Sequence, residues 1–304
     1  MTSVTGFEDG PQYYYDEDIG KTLTIVPSDD YDVKHKDLTR QQRDYFARKE
    51  AIERGGIRNY VTAYHGPVRK LNDILNLNEL GAVMKLLPYI RFDCNGSLMD
   101  GTKRMGVGEI SRVIGKARRW TIEILSSLVR VGVMINEKDG RRVVYRVSET
   151  YHSIGHVLEG TPYTKIYQAK TRTDIANVSI QAAGFLYKMI PFIHYEYLYL
   201  SCNPNERDRT RIRHLSQVRF AKEVGVDDGT ASRCMRELIA AGFVMRSEAF
   251  GAKIIRMNPD VMFRKKFEYG EYTNQVRAEF EQAKSAADYG DTGLIEIDDA
   301  KLPF

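Results

Sequence analysis

The stretches GAVMKLLPYIRFD (residues 81–93) and GFLYKMIPFIHYE (residues 184–196) follow one pattern. Each reads glycine, three residues, lysine, two apolar residues, proline, an aromatic, isoleucine, one residue, an aromatic and an acid. A pattern written twice, 103 positions apart, marks an internal repeat, and a repeat sets the architecture before any local reading does. In a chain of 304 residues it predicts two units, each long enough to bury a core.

The likeness continues downstream. GEISRVIGKARRWTIEILSSLVRVGVMI, from Gly108, lies over RFAKEVGVDDGTASRCMRELIAAGFVM with Gly115 on Gly225, an offset of 110. That offset then holds without a gap, placing Leu125 on Met235, Leu128 on Leu238, Gly132 on Gly242, and VYRVS (144–148) on IIRMN (254–258). The change from 103 to 110 puts seven extra residues in copy two, within the polar, arginine-rich segment 200–216.

Periodicity orders the elements inside a copy. An amphipathic helix is expected over 80–90 or 183–193, with Pro88 or Pro191 late in it to kink or end it. A short helix, 107–114 or 218–224, stops at Gly115 or Gly225. After a tight turn comes a longer helix, 117–131 or 229–241, closed by Gly132 or Gly242, with Asp227 or Asp228 as candidate cap in copy two. Two strands follow: 133–136 and 142–147 about Asp139-Gly140, then 243–247 and 253–257 about Gly251. Helix, helix, turn, helix, hairpin is the order of a winged helix-turn-helix, whose second turn helix enters a major groove. The expected class is mainly α with a small β component (α+β): two tandem winged helix-turn-helix domains with flexible acidic termini. The divisions are an acidic segment 1–37, a helical region 38–78, winged helix one over 79–150, a linker or helix 151–180, winged helix two over 181–266, and an acidic tail 267–304.

GVDDGTASRCMRELIAAGFVMR, with Gly225, Thr230, Arg233, Leu238 and Gly242, resembles the helix-turn-helix of bacterial winged-helix proteins. GAKIIRMNPDVMFR, with Asn258-Pro259 after the wing strand, is similar to the closing motif of Firmicute plasmid replication initiators. Two winged helices in tandem also resemble the iteron-binding plasmid initiators. These likenesses cover about 130 residues and leave 1–78 and 267–304 unmatched. They imply DNA binding at an origin by a plasmid or phage protein.

Charge is segregated. Residues 1–37 and 267–304 each carry nine acids against three Lys or Arg, net −6 apiece, so 38–266 hold +16 of a chain total of +4. A basic body suits a polyanion, because clustered cations release the counterions condensed on nucleic acid; the alternative is a solvated basic surface. The polar, acidic start has no apolar run of a cleavable signal, and the most apolar window, 182–200, is broken by Lys188, Pro191, His194 and Glu196, so a cytoplasmic protein with no membrane partner is expected. Cys94, Cys202 and Cys234 form no CxxC pair and are expected as buried thiols.

In copy two, a buried face of Ala231, Cys234, Met235 and Leu238 would leave Thr230, Ser232, Arg233 and Arg236 outward, a set suited to phosphates and base edges, with Arg able to bond guanine twice. Arg207, Arg209, Arg211, Arg213 and Lys253 would add backbone contacts. The rival reading has Arg233 and Arg236 solvating the helix and pairing with Glu237 or Asp228. Copy one presents Trp120, Ile122, Glu123 and Ser126 instead, with its cations at the turn and wing: Arg112, Lys116, Arg118, Arg119, Lys138, Arg141 and Arg142. It would grip backbone, or dock protein through Trp120 and Ile122, or bury Trp120 in its core. The shared proline segment would be scaffold, burying Met84, Leu87 and Ile90 or Tyr187, Ile190 and Ile193, in a covalently built dimer whose halves have diverged.

Other signals carry less. Tyr60 and Tyr64 have the spacing of paired nucleophiles in some rolling-circle nucleases, but no His-apolar-His motif accompanies them, so one packed helix face is expected. His152, His156 and Glu159 would suit a metal only on a helix, and Gly155 argues for an exposed linker. No Walker A loop, dinucleotide loop or nucleophile elbow occurs; neither enzyme, cofactor nor metal is expected. The ending EIDDAKLPF resembles the tip of bacterial single-stranded DNA-binding proteins, which implies capture of Pro303 and Phe304 by replication partners; the alternative is a solvated tail. The expected partner is double-stranded DNA, with replication proteins at the tail and a second copy of the chain left open. Replication initiation is the first reading; regulation of transcription in a mobile element is the second, and a scaffold or single-strand binder the third.

Overall fold

The computed structural model describes residues 12–16, 20–26, 59–91, 95–155, 157–249, 252–265 and 270–288. The chain divides into two units, Met1–Ile57 and Arg58–Phe304. In the first, β1 (Gln12–Asp16) and β2 (Lys21–Ile25) form an antiparallel hairpin, with Tyr13 and Tyr15 exposed. Regular structure thus occurs within the acidic segment expected to be flexible.

The second unit is mixed α+β. It opens with β3 (Tyr60–Tyr64), α1 (His65–Ile74) and α2 (Leu77–Leu86), the last started by a capping box: Asn76 accepts from the Glu79 amide and Glu79 from the Asn76 amide. Pro88 lies in a 3-10 turn, Leu87–Tyr89, so the helix stops before its proline. A short hairpin, β4 (Met99–Asp100) and β5 (Lys103–Arg104), precedes α3 (Val107–Ile114) and α4 (Arg118–Val131), then β6 (Met134–Asp139), β7 (Arg142–Val147) and β8 (His152–Ile154). Gly115, between α3 and α4, has φ +68°, a left-handed conformation that costs any other residue.

The same order then recurs. β9 (Tyr163–Tyr167), α5 (Gln168–Asp174), α6 (Ile180–Met189), α7 (Gln217–Glu223), α8 (Asp228–Ala240), β10 (Val244–Ala249), β11 (Ala252–Met257) and β12 (Met262–Phe263) follow in turn. The repeat therefore starts at Tyr60 and Tyr163, 21 residues ahead of the quoted glycines, and its upstream third keeps only Tyr60/Tyr163, Tyr64/Tyr167 and Arg69/Arg172 as identities. Two expectations change. The tyrosines lie on a strand rather than a helix, and residues 151–180 are no free linker, because β8 and β9 belong to the central sheet.

That sheet has the order β12-β9-β3-β8 and is antiparallel throughout. β3 pairs with β9 as Tyr60 to Tyr167, Thr62 to Lys165 and Tyr64 to Tyr163. Exchanging the copies, 60 for 163 and 64 for 167, returns the same pairs, so an approximate two-fold axis passes between Thr62 and Lys165. The outer strands obey it: Ala63 to His152 and Thr62 to Ser153 on one side become Ile166 to Met262 and Lys165 to Phe263 on the other.

Beneath the sheet α2 and α6 cross at their glycines. A Cβ on Gly81 would lie 1.8 Å from the Ile180 carbonyl oxygen, and one on Gly184 1.9 Å from that of Leu77, the repeat-equivalent residue. Only hydrogen permits this approach, which is the reason both copies keep the glycine. Arg69 of copy one stacks on Phe192 at 4.8 Å and Arg172 of copy two on Tyr89 at 4.3 Å, again equivalent pairs. Met84, Leu87, Ile90, Tyr187, Ile190 and Ile193 are all buried, and one continuous apolar core runs through both copies. The lysines of the shared segment, Lys85 and Lys188, are buried too, and burial holds both below the ordinary lysine pKa; Lys188 donates to the Asn72 carbonyl at 2.5 Å.

After β12, α9 (Glu271–Asp288) packs on copy two through Val276 and Phe280, and Arg277 meets Asp260 at 2.8 Å. This part of the segment expected to be a flexible acidic tail is an anchored helix. Pro303 and Phe304 lie outside the described residues. Among the described residues no helix is long and apolar enough to cross a membrane.

Candidate nucleic-acid interface

In copy two, α7 and α8 meet at a turn and the β10-β11 hairpin rises beside them. Asp227 caps α8 by accepting from the Thr230 amide at 2.8 Å; that bond lowers its carboxyl pKa. Ala231, Cys234, Met235 and Leu238 form the buried face as expected, and burial pushes the Cys234 thiol up to about 11. Arg233 and Arg236 are exposed, while Thr230 and Ser232 are half-buried. Arg233 does not pair with Asp228 or Glu237; it donates to Gln181 Oε1, at the start of α6, at 2.5 Å. The supposed base-reader is thereby tied to the helix that joins the copies.

Three residues the sequence reading passed over complete this face. Gln217, at the start of α7, donates from Nε2 to Ser232 Oγ at 2.9 Å and accepts on Oε1 from Arg246 of β10 at 2.7 Å. Gln181 is the third. A position-by-position comparison of the copies points to two of them, since Gln217 and Arg246 stand where copy one has Val107 and Asn136. Lys253 is exposed on β11. Of the arginines in segment 200–216, Arg207 and Arg213 are exposed, Arg211 pairs with Asp208 at 3.1 Å, and Arg209 lies over the Tyr197 ring at 5.5 Å.

Copy one spends more of its charge internally. Glu109 accepts from the Gly106 amide at 3.0 Å, pairs with Arg142 at 3.0 Å and reaches Arg112 at 3.8 Å; the amides and then the arginines hold its carboxyl below the usual range. Arg119 pairs with Glu123 at 3.5 Å. Lys116 sits 4.8 Å over the Trp120 ring, and Trp120 is half-buried against the core while Ile122 stays 43% exposed. Trp120 is thus part core, and of the two candidates Ile122 is the one open to solvent. Arg118, Lys138 and Arg141 are exposed and make no ion pair among the described residues.

His152 is buried, not on an exposed linker; its Nε2 meets the Tyr187 hydroxyl at 2.7 Å across the copy boundary, and burial lowers its pKa to about 3. His156 lies outside the described residues. Cys234 is buried and Cys202 half-buried, and Cys94 lies outside the described residues. Comparisons with protein-family models, with curated proteins and with solved structures give no match to this chain.

Proposed function

We propose that this chain binds duplex DNA at a specific site, as two winged helix-turn-helix units fused about an approximate dyad, and that it initiates replication of a plasmid or phage. The observation that carries the reading is the paired occurrence of helix, tight turn, helix and hairpin on a two-fold axis, each second helix keeping one face unburied. A duplex has its own two-fold axes relating its strands, so a dyad protein meets it with half-sites inverted rather than repeated in tandem. Because the two faces differ, the halves differ: copy two reads bases through α8, and copy one grips backbone beside it. Contact zones about one helical turn, roughly 10 base pairs, apart are expected if the two helices take successive major grooves.

The +16 of residues 38–266 supports the electrostatic part, with log affinity falling linearly in log salt at about −0.9 per phosphate contact on duplex. Selection of preferred duplexes from a random pool, followed by footprinting, tests the reading. Two protected zones of inverted orientation are expected; affinity without sequence preference or salt dependence would overturn it. Where the selected site occurs, in an origin or in a promoter, separates initiation from regulation of transcription.

A further inference from the structure

We infer that Gln217 is a positioning residue for sequence readout, fixing Ser232 as a hydrogen-bond donor and coupling the hairpin's Arg246 to α8. This rests on the duplex-binding reading and goes further, because it assigns polarity to one point of the interface.

The logic follows from which groups can donate. A guanidinium has donors only, so the Gln217 atom facing Arg246 at 2.7 Å must be the amide oxygen. The amide nitrogen then faces Ser232 Oγ at 2.9 Å and donates to it. Ser232 has one hydroxyl proton, its hydroxyl makes no other hydrogen bond among the described residues, and it is left to donate that proton outward. A donor at this place favours an acceptor in the groove, such as the N7 or O6 edge of a purine, over the amino group of cytosine or adenine. Arg246 is exposed and keeps donors for the same duplex.

The second copy of the fold serves as an internal control. At the equivalent positions copy one has Val107, Ile122 and Asn136, with Ile122 43% exposed, so its link from helix to hairpin runs elsewhere, from Glu109 of α3 to Arg142 of β7 at 3.0 Å, and leaves the outward face of α4 out. All three members differ at once, as expected of side chains that act on one another. Gln217 is half-buried at the surface, and its removal leaves the buried face of α8 intact.

The test uses the full chain and the duplex selected by the wild-type protein. Gln217→Leu and Ser232→Ala should each weaken binding to that duplex about 10-fold or more and leave binding to random duplex within about 2-fold. Because both remove one device, the double variant should be no weaker than either single. Gln217→Glu, which can accept from both Arg246 and Ser232, turns the serine proton inward and should change the preferred base at one position, read as relative preference so that its added charge cancels. Thermal midpoints within a few degrees of wild type certify folding. Additive losses, equal losses on random duplex, or an unchanged base profile in Gln217→Glu would overturn the assignment. A wild-type chain that selects no duplex would remove the underlying reading and this inference together, whereas selective binding indifferent to Gln217 removes this inference alone.

Discussion

Arg146 and Arg256 occupy the same place in the two hairpins and are neutralised in different ways. In copy one Arg146 reaches Glu137 of its own hairpin at 2.6 Å, Arg104 meets the same carboxylate, and all three side chains remain partly exposed. In copy two the position of Glu137 is taken by Ser247, whose buried hydroxyl has no hydrogen-bond partner among the described residues. Arg256 is only 2% exposed, and its anion is Glu279 of α9 at 2.5 Å. A buried guanidinium without compensating acceptors costs several kcal/mol, and Arg256 is compensated by a carboxylate from outside its own hairpin. Copy one closes its electrostatics locally, while copy two borrows from the C-terminal helix. The outward faces differ as well: copy two joins α7, α8 and hairpin through Gln217, whereas copy one joins α3 to its hairpin through Glu109 and Arg142 and leaves Ile122 exposed on α4.

The largest effect should come from what the copies share. Gly81→Ala with Gly184→Ala places a methyl against backbone on both sides of the axis and should cost about 5 kcal/mol, near the upper end of two overpacking penalties. The single variants, measured by denaturant unfolding, should be nearly equal; a clear inequality would break the two-fold comparison at its centre. Next in size is the borrowed charge. Glu279→Gln should destabilise by about 3 kcal/mol, and Glu137→Gln, in the more exposed pair, by about 1 kcal/mol or less. Equal losses would show that copy two does not depend on α9.

A pH dependence follows from two histidines at the boundary between copies. His65 Nε2 meets Thr164 Oγ1 at 2.9 Å; burial first, then the nearby Arg264 and Arg69, lowers its pKa to about 2, and burial lowers that of His152 to about 3. Above pH 6.5 both are neutral in the folded and unfolded states, so stability is flat on their account. Below pH 6.5 only the unfolded chain takes up their protons, and stability falls by about 1.4 kcal/mol per pH unit for each, continuing toward the folded-state values. Thermal midpoints of wild type and His152→Phe between pH 7 and 5 check the sign: the variant should show the shallower decline.

The last comparison bears on readout rather than on stability. Arg233→Ala should cost about 1–3 kcal/mol on a selected duplex and little on random DNA, because Gln181 presents this guanidinium in one orientation. Arg141→Ala with Arg142→Ala should weaken both duplexes alike, as expected of backbone contacts. A reversed result would exchange the roles of the two copies.

Local structure was legible wherever periodicity and stop residues agreed. The short helix expected over 107–114 spans Val107–Ile114, the buried face of α8 is the one read from its spacing, and Asp227 is its cap. β3 and β9 were not legible, because YVTAY and YTKIY are short runs buried on both faces and show no alternation; their tyrosines four apart imitate a helix face. Sequence by itself determined that the chain is doubled, since a repeat is a property of the string; that 81 and 184 require glycine follows only from the helix crossing. Only the tertiary structure decided how the copies meet. A two-fold axis arises from strand register and helix crossing between residues about 100 apart, and no local rule relates them. The same limit applies to the bonds of Arg233 to Gln181, Gln217 to Arg246 and Arg256 to Glu279, where donors and acceptors distant in sequence become partners only once the core has set their backbones side by side.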